Sequence, residues 1–322
     1  MADLTRRETR GWEVLQLETE AITATVLPGL GGAVWSLTRR VDGAELLGST
    51  PWGLPAYGAP TLSGDSEVRA VSTFGGWQTL FPNAGDAATV QGIEWAFDGE
   101  ARLTPLDWEY TGSSLIMNGR LRHTPFSLTR TLSLRGHELS LGETVRNVGR
   151  ERVVTMWGSQ LTLGGDLLGP GTELDAAATV VRPDPHFVSL ASYDDLSPWP
   201  RAPGPAAMVN LRTVPGPETN ESRLAYLSDF TRPWLSVTRP DRGLGLDLEW
   251  DENRWPHVWY RLETGGQNGF PWYGAGYFLS LTPCTSWPAH GVHEARRVAD
   301  SALSIPAGAT RTSSATLTVH PA

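Results

Sequence analysis

Apolar and polar residues alternate with a period of two along much of the chain. In "GLGLDLEW" the alternation places Leu244, Leu246, Leu248 and Trp250 on one face. In "SLTRTLSL" it aligns Leu128, Leu132 and Leu134. After "RGH" the pattern resumes at Leu139 and Leu141, which predicts a β-hairpin. "AITATVLPGLGG", "SATLTVHP" and "WPHVWYRLE" add further strands. No stretch of about 11 residues carries apolar positions at the i, i+3, i+4, i+7 spacing of an amphipathic helix. Short strands with turn residues between them predict an all-β chain built as a large antiparallel sandwich. The pattern is weakest from Gly164 to Pro217, where Pro, Gly, Asp and Ser accumulate. That segment is expected as an irregular excursion, a lid or rim, within one domain spanning residues 1–322.

Composition narrows the chemistry. All 26 basic residues are arginine, so lysine Schiff bases, lysine-bound pyridoxal phosphate and a Walker-type lysine are excluded. The formal net charge of -9 leaves no basic stripe for phosphates, so no nucleic-acid partner is expected. One cysteine, Cys284, rules out an internal disulfide and a cysteine zinc site. The polar start "MADLTRRETRGWEV" lacks the apolar core of a signal peptide, and no apolar run is long enough to span a membrane. The expectation is a soluble, cytoplasmic chain with no membrane partner. No cofactor and no metal are expected, and a homodimer is among the assemblies left open.

Five motifs then occur in order: "VLPGLGGAVWSL", "FGGWQTLFPNAG", "DGEARLTPLDW", "NVGRERVVTMWGSQ" and "PWYGAGYFLSLTPCTSWP". Their order and spacing resemble the aldose 1-epimerase (galactose mutarotase-like) superfamily, from about residue 20 onward. The resemblance implies a β-supersandwich of large antiparallel sheets and a pyranose-sized cleft. It also implies acid/base chemistry, with a Glu base, a His acid and a further His on the sugar. All three positions differ here. Ser159 and Gln160 stand where relatives carry paired His, Asp98 where they carry His before "GEA", and Thr282 where they carry the Glu before Pro283. A Gln amide cannot deliver a proton near pH 7, and a Thr hydroxyl is no base without an activating neighbour. Each such loss costs about 10²–10⁴-fold.

The remaining candidates are weighed against plainer roles. Trp77, Gln78 and Asn83 match the family's "GGWQ…FPN" and suit a polyol; otherwise Trp77 is core and Asn83 caps a turn. Arg69 is either a clamp or a solvated arginine. Asp98 and Glu100, two apart, would share one face of a strand. Asp98 is the leading acid/base candidate, with a carboxylate paired to Arg102 or Arg69 as the alternative. Glu263 and His257 are further catalytic candidates. Trp157, Ser159, Tyr260, Trp272, Tyr273 and Thr282 are candidate substrate contacts. His186 and Tyr193 would enter only if the excursion folds over the cleft as a relocated acid/base pair. His123 and Cys284 carry weaker cases. His290, His293 and Glu294 in "HGVHE" lack further metal ligands at recognisable spacing.

The expectation is an enzyme with altered chemistry, such as isomerisation, dehydration or cyclisation, on a polyol, sugar or natural product in specialised metabolism. A non-catalytic sugar-binding protein and a mutarotase with relocated acid/base groups stand as alternatives.

Overall fold

The computed structural model describes residues 2–59, 64–188 and 191–322. Among the described residues strands dominate, and the two α-helices, Ser66–Ser72 and Gly291–Ala299, are short. The predicted hairpin forms between Phe126–Arg135 and Glu138–Asn147, with Leu128 opposite Val145 and Leu132 opposite Leu141. Leu244, Leu246, Leu248 and Trp250 are all buried on one face, as their spacing requires.

Two antiparallel layers result. One runs from Leu115–Arg120 through the hairpin and Thr310–His320 to Leu244–Trp250. The other runs from Asp3–Thr9 through Trp12–Glu18, Ile22–Leu27, Ala33–Arg39 and Trp77–Leu80 to Gly158–Leu163, Tyr277–Cys284 and His257–Thr264. The 18-residue strand Ser222–Arg239 joins them. Its first part pairs with His257–Thr264 and its last part with Leu244–Trp250. Its partner Glu173–Pro183 runs alongside it, with a register shift at Ala176/Ala178. This strand lies inside the segment expected to be irregular. Its centre is a run of three small alanines, Ala176, Ala177 and Ala178, which gave little periodic signal. Irregular chain is confined mainly to the residues after Pro183.

The inner faces of the layers share one core. It takes Leu128, Leu132 and Leu141 from one side and Trp77, Trp157 and Leu161 from the other. Arg130 points into this core too, a position the leucine alternation had passed over. It forms an ion pair with Glu143 directly across the hairpin at 3.1 Å, with both side chains fully buried. Arg130 also donates to Gly32 O at 2.8 Å. Thr79 Oγ1 and Trp157 Nε1 donate to the two Glu143 oxygens at 2.5 and 2.9 Å. These bonds offset part of the cost of burying the charge pair, although Arg130 Nη2 has no partner among the described residues.

Candidate functional site

Strand alternation decides which residues face the cleft. On Gly158–Leu163, Leu161 and Leu163 point into the core, so Gln160 points outward, where it pairs in register with Gln78. On Tyr277–Cys284, Ser280 and Thr282 take the outer face, opposite Arg261 and Trp259. Leu224 and Tyr226 continue the rows opposite Arg261 and Trp259. Gln160, Ser280, Thr282, Trp259, Arg261 and Leu224 thus floor a cleft of about 260 Å3. Its lip is formed by Glu67, Asp86, Asp98, His186, Gln267 and His290.

The lip is brought together by long-range contacts. The Asn83 side chain donates to Asp86 O and Ala96 O and accepts from Val292 N, which fastens the 83–86 turn to the start of the Gly291–Ala299 helix. Gly85 (φ +74°) lies so close to the neighbouring chain that a Cβ would stand 1.9 Å from Ala289 O. Any side chain there would push His290 away.

His290 is the centre of the lip. Its Nδ1 faces Asp86 Oδ2 at 2.9 Å and its Nε2 faces Asp184 Oδ2 at 2.9 Å. Burial disfavours the charged ring, but the bonds to Asp184 and Asp86 outweigh it and raise the pKa to about 9. Burial opposes ionisation of Asp184 as well. Hydrogen bonds from His290 and Tyr226 overcome this and hold Asp184 below the usual carboxylate range. The Tyr226 hydroxyl donates to Asp184 and accepts from Ala289 N. His186, mostly exposed, places Nδ1 3.0 Å from Asp184 Oδ1, and its ring lies 4.1 Å from that of His290. Among the described residues, Asp184 and the cleft-lining His186 and His290 form a group able to hold a metal ion.

The floor is rich in hydrogen-bonding atoms with no partner among the described residues. These include Gln160 Oε1, Ser280 Oγ and Arg261 Nε. Arg261 makes one long bond, to Gln267 Oε1 at 3.3 Å. Burial lowers the pKa of its guanidinium, while Asp98 and Glu263 act against that.

The three substituted positions, Asp98, Gln160 and Thr282, do line one cleft. Asp98 is nevertheless not poised for proton transfer. It sits in a turn at φ +57° rather than a strand, so it shares no face with Glu100. Its Oδ1 accepts from Gly85 N at 2.9 Å, and its Oδ2 is paired with the buried Arg102 at 2.8 Å. Burial raises its pKa and Arg102 counters this. Glu100 instead accepts from Arg122 N, His123 N and Thr124 Oγ1, which leaves His123 away from the cleft.

Other expected contacts lie elsewhere. Trp77, Trp157 and Ser159 are inner-face residues, with Trp77 Nε1 donating to Ser159 Oγ at 2.8 Å. Tyr260 has the same parity as Val258 and Leu262 and is buried in the core. Gln78 is sealed beneath the floor by Arg102 and Thr73 O, and Asn83 is the turn anchor described above. Arg69 is exposed on the Ser66–Ser72 helix, which sends Glu67 to the lip instead. Trp272 packs on Phe74 and Phe278 and stacks on Trp52, while Tyr273 is 72% exposed. His257 is off the floor, and burial followed by the charge of Arg182 drives its pKa down to about 4. Glu263 is fully buried, with Oε1 on Gln267 N and Oε2 without a partner. His293 turns to Thr89 O, Tyr193 packs on Trp287, and burial pushes the Cys284 thiol up to about 12, which leaves it inert.

Sequence reasoning passed over Arg261, Trp259, Glu67, Asp86, Asp184 and Gln267. Two of these were within reach. Trp259 and Arg261 alternate with the core residues Val258 and Leu262. Asp86 and Asp184 carry no local signal.

Solved structures align over nearly the whole chain. A Klebsiella pneumoniae protein provisionally named an aldose 1-epimerase superposes with TM-score 0.73 at 14% identity, covering 98% of this chain and 82% of that one. A galactose mutarotase-like protein from Lactobacillus casei gives 0.66 at 14%, covering 95% and 100%. The fold is the galactose mutarotase-like β-sandwich. A Synechocystis protein shares this galactose mutarotase-like fold with TM-score 0.69 at 16% identity, covering 96% of each chain. No family model matches the sequence, and no curated protein matches it. Identities this low speak for the mutarotase-like fold alone. Among the described residues, no helix is long and apolar enough to cross a membrane.

Proposed function

We propose that this protein is a proton-transfer isomerase of a monosaccharide-sized polyol, with its acid/base groups moved to the cleft lip. The observation that carries the reading is the convergence of His186 and His290 on Asp184 beside a floor of unsatisfied polar atoms. A cleft of about 260 Å3 is smaller than the roughly 300–1,000 Å3 of drug-sized ligand sites, which suits one sugar ring. Trp259 offers an apolar face, and Gln160, Ser280, Thr282 and Arg261 offer hydrogen bonds to hydroxyls.

His290 is protonated at neutral pH, and it acts as the acid when its Nε2–H turns from Asp184 to a ring oxygen. His186, open to solvent, accepts the hydroxyl proton. Asp184 orients both rings. The proton leaves one oxygen and arrives at another, so the reaction is balanced without a co-reactant. The scaffold likeness supports a sugar-related substrate.

NMR exchange of anomeric protons on glucose, galactose and xylose tests the reading. Acceleration above the spontaneous rate is expected, falling about 10²-fold in His290→Gln. Sugar binding without acceleration would replace this reading with a non-catalytic carbohydrate-binding protein. Unchanged turnover in His290→Gln would remove the lip histidines from the chemistry.

A further inference from the structure

Two side chains two residues apart and a third 106 residues from Asp184 offer metal-ligand atoms to one point at the cleft lip. Asp184, His186 and His290 each present one such atom, and all three atoms lie within 4.8 Å of one another. The two Asp–His separations are 2.9 and 3.0 Å. These two contacts go to different carboxylate oxygens, His290 Nε2 to Oδ2 and His186 Nδ1 to Oδ1. Ligands about 2.0–2.1 Å from a tetrahedral metal sit roughly 3.3 Å apart, so the set draws in around one Asp184 oxygen as a metal binds.

Two further observations point to a cation. His290 directs its other ring nitrogen, Nδ1, to Asp86 Oδ2 at 2.9 Å. A metal-bound imidazole ordinarily gives its second N–H to a carboxylate, which fixes the tautomer and raises its basicity. Asp184 is itself held by the Tyr226 hydroxyl and by His186 N, as ligating carboxylates are. Charge gives the second argument. Among the described residues, Asp86 and Asp184 pair with histidines and with no arginine. Once His290 has given up its proton, the two carboxylates leave an excess that a divalent cation cancels. His186 and His290 also line the cleft, so ions have an entry path.

We infer that Asp184, His186 and His290 form a binding site for a divalent transition-metal ion of the zinc class, with Asp86 as the outer carboxylate. Two imidazoles and one carboxylate favour such ions over magnesium and calcium, which take sets of oxygen ligands. In binding, His290 gives its Nε2 proton to solvent as the metal–nitrogen bond forms. Metal and the acid role of His290 therefore exclude each other. The inference rests on geometry and stands whether or not the proton chemistry proposed above is correct.

Isothermal titration of chelator-treated protein with zinc chloride near neutral pH, in two buffers of different ionisation enthalpy, tests it. One zinc ion per chain is expected, with net proton release and no comparable binding of magnesium. His290→Gln and His186→Ala should each weaken zinc by about tenfold or more. His293→Ala should leave zinc binding unchanged. Thermal unfolding checks that the variants fold, and His186 is exposed enough for truncation to be tolerated. No zinc binding, zinc binding unaffected by His186→Ala, or magnesium bound as tightly as zinc would each overturn the site. A chain that binds zinc as stated but never accelerates sugar exchange defeats only the proposed function. The converse result defeats only the metal site.

Discussion

The two faces of the cleft strands handle polar groups in opposite ways. On the inner face, Trp157 and Thr79 hydrogen-bond Glu143, Trp77 bonds Ser159, and Arg130 is paired with Glu143. On the outer face of the same strands, Gln160 Oε1, Ser280 Oγ and Arg261 Nε have no protein partner. The inner arrangement closes on Glu143, with Arg130 Nη2 left without a partner among the described residues, and its polarity specifies how the layers meet. The outer arrangement leaves hydrogen-bonding capacity for a ligand. A buried polar atom without a partner costs about 1–3 kcal/mol, which a ligand's hydroxyls recover on binding.

The largest expected effect probes the inner face. Glu143→Ala leaves the Arg130 guanidinium buried and alone, and should cost about 3–5 kcal/mol in urea unfolding. A loss below about 1 kcal/mol would mean that Arg130 finds water, and the contrast between the faces would collapse.

Next comes pH. The folded pKa of His257 is about 4, against an ordinary 6.5. The folded state therefore binds fewer protons than the unfolded state between these values. Stability is full above about pH 6.5, falls as pH drops toward 4, and levels off below. The total loss is about 3 kcal/mol. His257→Phe should flatten the slope in that window, measured by unfolding at several pH values.

A smaller effect sharpens the contrast. Gln160→Leu removes an outer-face acceptor that has no partner to strand. Its stability should stay within about 1 kcal/mol of the parent. Its affinity for a bound monosaccharide, read by titration with glucose or galactose, should fall about tenfold for one lost hydrogen bond. Destabilisation as large as that of Glu143→Ala would show that Gln160 is structural. The smallest effect is expected from Arg69→Ala. Exposed on its helix, it should change stability and sugar affinity by less than about 0.5 kcal/mol.

Much of this molecule was legible in the amino-acid order. Period-two alternation located the hairpin at "SLTRTLSLRGH" and the buried face of "GLGLDLEW", because side-chain direction in a strand is a local property. The same rule, applied strictly to "HVWYRLET", separates Tyr260 from Trp259 and Arg261. Motif resemblance brought Asp98, Gln160 and Thr282 to one cleft. It could not reveal that Asp98 spends its carboxylate on Arg102 and Gly85.

The sequence alone thus settled the strands, their buried faces and the absence of proton carriers at Gln160 and Thr282. Each of these depends on residue type and on neighbours one or two positions away. Only the tertiary structure decided where the titratable groups converge. Asp86, Asp184 and His290 are separated by about a hundred residues at each step. They meet because Gly85 lets the 83–86 turn close on Ala289 and because Tyr226 reaches across to Asp184. No spacing rule records such contacts, since their geometry comes from how separate loops pack over one sheet.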